Sequence, residues 1–191
     1  MDKLQQEYRR VGKLHLEAER HFFARVVLPS SVVRVFVPGT RPKLLRALVR
    51  TDIDPLRSVR SQEQYRLYFE DQLHRLARVI NNSNKGNSRV YPGHKWGHST
   101  KILCLFLRDM ILHSHYFSDN VVDRLSYYLY TPLDNVVIRR LRKLGYATPF
   151  RSIKEIDSSG KFYGVQNALG EAAWSIGVPR VWFDDNWGQR V

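Results

Sequence analysis

The most informative stretch of the sequence is residues 97–114, GHSTKILCLFLRDMILHS. From Ile102 to Leu112 only two charged residues interrupt an apolar run, which is too short and too charged to cross a bilayer. We predict a helix from about Ser99 to Ser114, with the hydroxyl of Ser99 or Thr100 as its N-cap.

Helical spacing of apolar residues continues on both sides of this stretch. Further helices are predicted over about 4–26, 41–50, 65–80, 118–130, 134–144 and 158–176. Gly145 and Gly177 are placed to end the last two of them. Residues 31–38, SVVRVFVP, are rich in β-branched side chains, but prolines bracket them and the sequence offers no partner strand, so we predict an extended connection. The fold class is therefore all-α.

The composition indicates a soluble and strongly basic protein. The 191 residues suit one compact domain or two small lobes, and 43% hydrophobic residues argue against disorder. Lys and Arg number 31 against 18 Asp and Glu, and a net charge of +13 attracts polyanions, so nucleic acid is the first partner to test. The polar amino terminus has no hydrophobic signal segment, which favours an intracellular, cytoplasmic location with the DNA.

The positive charge is concentrated in the middle of the chain. No acidic residue occurs from Gln72 to Arg108, although seven basic residues do. A surface that serves only solubility usually mixes both signs. The acid-free window therefore favours a surface that binds a polyanion.

No metal or redox cofactor is expected. The single cysteine, Cys104, excludes a disulfide framework, a multi-cysteine zinc site and a four-cysteine iron–sulfur cluster. His94 and His98 lie four residues apart and His113 and His115 lie two apart, but no carboxylate or cysteine completes a convincing ligand set.

Lys101 lies near the start of the helix predicted over about 99–114, directly after a predicted hairpin. Residues 81–97, NNSNKGNSRVYPGHKWG, form the most turn-rich segment of the chain, and Lys101 is predicted in the first turn of the helix that follows. Free backbone N–H groups at such a helix start form an anion site that can hold a DNA phosphate without reading sequence. The positive end of the helix dipole opposes a lysine there, yet taken alone it could be a solvated lysine.

Asp134 follows Lys101 by 33 residues and opens another predicted helix, two residues after Pro132. The helix dipole favours a carboxylate in this position, and the carboxylate could face an electron-poor centre. Taken alone, Asp134 is an ordinary N-cap residue. The combination of Lys101 and Asp134 is more informative than either residue.

A family resemblance is carried by Gly97 to Leu103, by Pro132 to Asp134 and by VVIRRLRKLG at 136–145. Together these segments resemble the helix-hairpin-helix superfamily of DNA glycosylases, particularly its bifunctional 8-oxoguanine glycosylase/AP lyase branch. The resemblance covers about residues 91–145, and its spacing is similar to that of the compact archaeal-type enzymes. It implies that Lys101 is the Schiff-base lysine and Asp134 the catalytic aspartate.

The same resemblance implies two helical lobes with a cleft between them. Residues 57–147 would form the helix-hairpin-helix catalytic lobe, and residues 1–56 with 148–191 the second lobe. The expected partner is duplex DNA containing a damaged or modified base, and we expect a monomer with no cofactor and no membrane association. The implied phosphate-binding residues are Gly97, His98, Ser99, Thr100, Lys95 and Arg89.

The carboxyl-terminal stretch PRVWFDDNWG, residues 179–188, is suited to contact a base. Aromatic rings stack on a flipped base and carboxylates accept hydrogen bonds from its edge, and the archaeal-type enzymes use carboxyl-terminal aromatic and acidic residues in this way. Candidate base-pocket residues are Trp182, Phe183, Asp184, Asp185 and Trp187, with Cys104 one helical turn past Lys101. The aromatic residues could equally anchor the tail to the core.

The predicted activity is therefore excision of a modified base, such as an 8-oxoguanine-like oxidised purine, through a lysine Schiff base and β-elimination. Two alternatives stay open. One is a non-catalytic helix-hairpin-helix module that binds duplex or branched DNA within a larger assembly. The other is a related glycosylase for a different modified base, including one found in foreign DNA.

Overall fold

The structure is a computed structural model that describes residues 3–28, 33–85, 96–146 and 148–184. Within these ranges every regular element is helical. The helices are α1 (Lys3–Val27), α2 (Thr40–Val49), α3 (Gln62–Ser83), α4 (Gly97–Leu112), α5 (Asp119–Ser126), α6 (Asn135–Lys143) and α7 (Ser159–Ser175). Three short 3-10 turns span Val33–Val35, Asp54–Ser58 and Ile153–Glu155. The prediction of an all-α fold is confirmed for the described residues.

Several helices begin at a capping side chain or end at a glycine. Ser61 and Ser158 accept hydrogen bonds from backbone N–H groups in the first turns of α3 and α7. Asp134 caps α6 in the same way. Gly145 and Gly177 have φ of 86° and 70°, a left-handed conformation that glycine adopts without steric cost. The predicted ends of α6 and α7 are therefore confirmed.

The central helix is α4, which has thirteen of its sixteen residues buried. It packs against α1, α3, α5 and the turn Ile153–Glu155. Ile102, Phe106 and Met110 have no solvent-exposed surface. The predicted helix is confirmed, and it is buried because its sequence is apolar on nearly all faces.

The start of α4 differs from the prediction. The helix begins at Gly97 with Trp96 in the N-cap position, so the predicted cap at Ser99 or Thr100 is wrong. The hydroxyl of Thr100 instead donates back to the carbonyl oxygens of Trp96 and Gly97. Lys101 is consequently the fifth residue of α4 and lies just beyond its first turn, where the helix dipole opposes its charge less.

The segment before α2 also differs from the prediction. Val33–Val35 form a 3-10 turn, with the N–H of Phe36 donating to the carbonyl oxygen of Val33 at 3.2 Å. The predicted extended connection is therefore wrong for residues 33–35, because this local bond outweighs the β propensity of valine. Residues 29–32 lie outside the described part of the chain.

An aromatic cluster joins α3, α7 and the segment after α5. The rings of Phe69 and Phe162 stack with centroids 5.8 Å apart, and Tyr130 packs edge-on against both. The guanidinium of Arg180 lies 4.6 Å from the centre of the Tyr130 ring and donates to the carbonyl oxygens of Leu129 and Gln166. These contacts attach the carboxyl-terminal part of the fold to its core.

The division into lobes 57–147 and 1–56 with 148–191 stays a prediction. Within the described ranges, α1 packs against both α2 and α4, and the buried apolar side chains form a continuous cluster.

Among the helices in the described ranges, none combines the length and the hydropathy that a bilayer crossing requires.

Gly97 packs against the turn Ile153–Glu155 with no space for a side chain. A Cβ atom added to Gly97 would overlap the carbonyl oxygen of Ile153, which belongs to the backbone and cannot rotate away. Glycine is therefore required here for packing, independently of any role in a hairpin.

We expect Gly97→Ala to lower the free energy of unfolding by about 1–3 kcal/mol, because α4 and the turn must separate to admit the methyl group. The matched control is Gly12→Ala in α1, where an added Cβ meets open space among the described residues. That control should raise stability by about 0.5–1 kcal/mol through helix propensity alone. Urea unfolding followed by circular dichroism measures both changes, and equal effects of the two substitutions would contradict the packing role.

Candidate active site

Lys101 and Asp134 form an ion pair between α4 and the start of α6. The Lys101 Nζ atom lies 3.0 Å from Asp134 Oδ2, and the exposed fractions of the two side chains are 8% and 27%. An ammonium group with so little access to water requires an anionic partner nearby. The structure therefore brings together the two residues that sequence analysis selected, although 33 positions separate them.

The carboxylate of Asp134 is fixed by the helix that it caps. Its Oδ1 atom accepts hydrogen bonds from the N–H groups of Val136 at 2.8 Å and Val137 at 2.9 Å. The other oxygen, Oδ2, faces Lys101. Asp134 is thus an N-cap and an ion-pair partner at once, one oxygen serving each role.

A cavity of about 260 Å³ opens beside this ion pair. Its lining comes from the turn before α2, the start of α4, the start of α6 and the turn after α6. The lining residues are Val35, His98, Lys101, Asp134, Asn135, Val136, Ser152, Ile153 and Lys154. This volume lies close to the lower end of the range typical of small-molecule pockets, about 300–1,000 Å³.

The cavity is bordered mainly by positive charge, and its lining includes one carboxylate. The amino-terminal ends of α4 and α6 both border the cavity, and each carries partial positive charge on its backbone N–H groups. Lys154 adds a full positive charge at the rim, and Asp134 is the one acid among the described lining residues. This arrangement suits a ligand with a phosphate group next to a centre that becomes electron-poor.

His98 forms part of the cavity wall one helical turn before Lys101. It is 4% exposed, and its ring lies 5.7 Å from the ring of Phe36. Residues three apart in a helix share a face, so His98 and Lys101 face the same cavity. The imidazole is a polar contact point for a ligand that enters beside the ion pair.

The phosphate-binding residues predicted at the start of α4 are deeply placed. Gly97 is buried, and His98, Ser99 and Thr100 are at most 4% exposed. Arg89 and Lys95 lie outside the described residues, as does most of the turn-rich segment 81–97. Phosphate contact by this group therefore stays a prediction.

Among the candidate base-pocket residues, Asp184 contacts α4 well beyond Lys101. The carboxylate of Asp184 accepts from Arg108 Nη1 at 2.7 Å, and Arg108 also contacts Asp109. Arg108 is seven residues beyond Lys101, which is about 10 Å along the helix axis. Trp182 is 46% exposed, and Phe183 packs against the core.

Cys104 is fully enclosed between these two regions of α4. Burial raises the pKa of its thiol well above the usual value, so the thiol is protonated at neutral pH. The described lining of the Lys101 cavity contains neither Cys104 nor Asp184. A base pocket that includes these residues stays a prediction, and Asp185 and Trp187 lie outside the described residues.

Sequence reasoning missed several residues of the cavity. Asn135 follows Asp134 directly, and its side-chain oxygen accepts from the N–H of Ile153 at 3.3 Å, linking α6 to the turn that bears Ser152 and Lys154. Adjacency to Asp134 was a usable signal for Asn135. Nothing in the sequence near 152–154 indicates a site, because only the tertiary fold brings this turn to Gly97.

No family model, curated protein or solved structure matches the chain. The properties of the site therefore follow from its own residues and geometry.

We expect Asp134→Asn to lower the free energy of unfolding by about 1–3 kcal/mol, because it leaves the buried Lys101 ammonium without a counter-charge while keeping the cap. Asp134→Ala should cost about 1 kcal/mol more, since it also removes the cap. Urea unfolding at pH 7 measures both variants. Asp157→Asn, which breaks an exposed lysine pair, is the control and should change stability little. Equal stability of Asp134→Asn and the wild type would contradict a buried ion pair.

We expect Cys104 to be unreactive toward a thiol-specific disulfide reagent at pH 8 in the folded protein, because burial both raises its pKa and blocks access. The same chain in urea should react with one thiol per molecule. Fast labelling of the protein with intact circular dichroism would instead show that Cys104 borders an accessible pocket.

Proposed function

We propose that the protein is a bifunctional DNA glycosylase with AP lyase activity. The observation that supports this proposal most strongly is the contact between Lys101 and Asp134 beside a cavity of about 260 Å³. A module that only binds DNA has no need of a lysine withdrawn from solvent, since a phosphate contact is made by an exposed lysine. The resemblance to 8-oxoguanine glycosylases adds an oxidised purine as the substrate to test first.

In the proposed reaction, Asp134 first accepts a proton from Lys101, which leaves a neutral amine. The amine attacks C1′ of the extruded nucleotide, and the bond from C1′ to the base breaks as the base leaves with the bonding electrons and takes up the proton that Asp134 holds. Asp134, as a carboxylate again, stabilises the positive charge that develops on the sugar. Its fixed Oδ1 atom keeps the carboxylate in place throughout.

The lyase step follows from the same covalent bond. Opening of the sugar ring gives an imine between Lys101 and C1′, and the imine acidifies the proton on C2′. Removal of that proton forms a double bond and expels the 3′ phosphate with its electron pair. Water then hydrolyses the imine and regenerates Lys101.

DNA binding would come from positive charge outside the ion pair. α6 buries Val137, Ile138 and Leu141. Its exposed face carries Arg139, Arg140, Arg142 and Lys143, while its first two residues, Asn135 and Val136, line the cavity. A phosphate backbone that lies along this face would bring an extruded nucleotide to the amino terminus of the same helix.

The test is borohydride trapping with duplexes that contain 8-oxoguanine, other modified bases or an abasic site. We expect a covalent adduct in the wild-type protein and at least about a hundredfold less adduct in Lys101→Gln, because the attacking amine is gone. Lys161→Gln is the matched control, since Lys161 also pairs with an aspartate, Asp157, on an exposed surface. Asp134→Asn should fold and lose most base excision.

The outcomes separate the proposed enzyme from its alternatives. DNA binding without any trapped adduct, even at an abasic site, would favour a non-catalytic binding module. An adduct with a different modified base but none with 8-oxoguanine would keep the lysine mechanism and change the substrate. Unchanged trapping in Lys101→Gln would remove Lys101 from the reaction.

A further inference from the structure

A second cluster of reactive side chains lies at the opposite end of α4. His15 and Glu19 are on α1, and His115 lies three residues after the end of α4. One ligand atom from each of the three lies within 4.8 Å of the others. His115 Nδ1 is 2.9 Å and His15 Nε2 is 3.5 Å from the same Glu19 oxygen, Oε1.

Glu19 connects the two histidines of this cluster. His15 and Glu19 are four residues apart, so they occupy the same face of α1. The Glu19 side chain is only 13% exposed, and its Oε1 atom also accepts a hydrogen bond from the backbone N–H of His115 at 3.0 Å. The carboxylate therefore positions both the ring and the backbone of His115, while the two imidazoles remain open to solvent.

We propose that His15, Glu19 and His115 bind a divalent transition-metal ion, Zn²⁺ in particular. Two imidazole nitrogens and one carboxylate oxygen form a donor set that zinc accepts, with bonds of about 2.0–2.2 Å. Ligand atoms of a tetrahedral zinc ion lie about 3.3 Å apart, and Glu19 Oε1 lies 2.9 Å from the nitrogen of His115 and 3.5 Å from that of His15. Three protein ligands leave the fourth position for water.

The ion would connect α1 to the segment that follows α4. Lys101 lies eleven residues before the end of α4, about 16 Å along the helix axis, and His115 lies beyond that end. The metal would therefore take no part in the proposed excision chemistry. Its expected effect is on stability, because an ion that binds only the folded chain stabilises it.

The test is titration of the metal-free protein with Zn²⁺ by calorimetry and with Co²⁺ by visible absorption. We expect one ion per chain and a rise in Tm on adding Zn²⁺. His15→Gln and His115→Gln should each weaken binding by at least about tenfold, because each removes a ligand.

His21→Gln and His113→Gln are the matched controls, because both histidines are exposed and lie near the cluster without belonging to it. They should leave the affinity for Zn²⁺ unchanged. The proposal is overturned if Zn²⁺ binds no more tightly to the wild type than to the His15→Gln/His115→Gln double variant with native circular dichroism. Borohydride trapping in the presence of a chelator separates the two proposals, since removal of the metal should leave the adduct intact.

Discussion

The withdrawal of the Lys101 ammonium from water is the constraint around which the fold is arranged. α4 is buried on nearly all sides, so a charged group in its second turn requires an anion from another element. Asp134 supplies it, and because Asp134 also caps α6, the ion pair links α4 to the start of α6. The cavity lies where the amino-terminal ends of these two helices meet.

The ion pair has an electrostatic consequence for any polyanion that approaches. Lys101 and Asp134 nearly cancel each other's charge at a distance, so they contribute little to the long-range field. Attraction must come from other cations, such as those on the exposed face of α6. Long-range steering and local chemistry are thus assigned to different residues, which allows either to change without the other.

Much of the fold was predictable because it rests on local signals. Apolar spacing located the helices, and Ser158, Gly145 and Gly177 marked helix ends that the structure confirms. The start of α4 was not predictable in the same way, because the helix begins at a glycine that fits against a distant backbone turn and not at a capping hydroxyl. The glycine at the first position of α4 is therefore required by a contact with a distant part of the chain.

Sequence analysis identified the residues of one candidate site and missed those of the other. Spacing alone gave no reason to join Lys101 to Asp134, and only the family resemblance paired them. The histidine cluster was missed because Glu19 and His115 are 96 residues apart, and a histidine four residues before a glutamate is common on an exposed helix. Local patterns identify single ligands, whereas a ligand set is a property of the assembled chain.

The contact of Gly97 with the carbonyl oxygen of Ile153 also bears on how this sequence can change over time. A side chain at position 97 is compatible with the fold only if the turn 153–155 has already moved outward. Ile153 and Lys154 of that turn and Ser152 before it line the cavity, so displacement of the turn would reshape the site. We expect homologous chains to keep the glycine or to exchange it together with residues of this turn, and the two segments to covary.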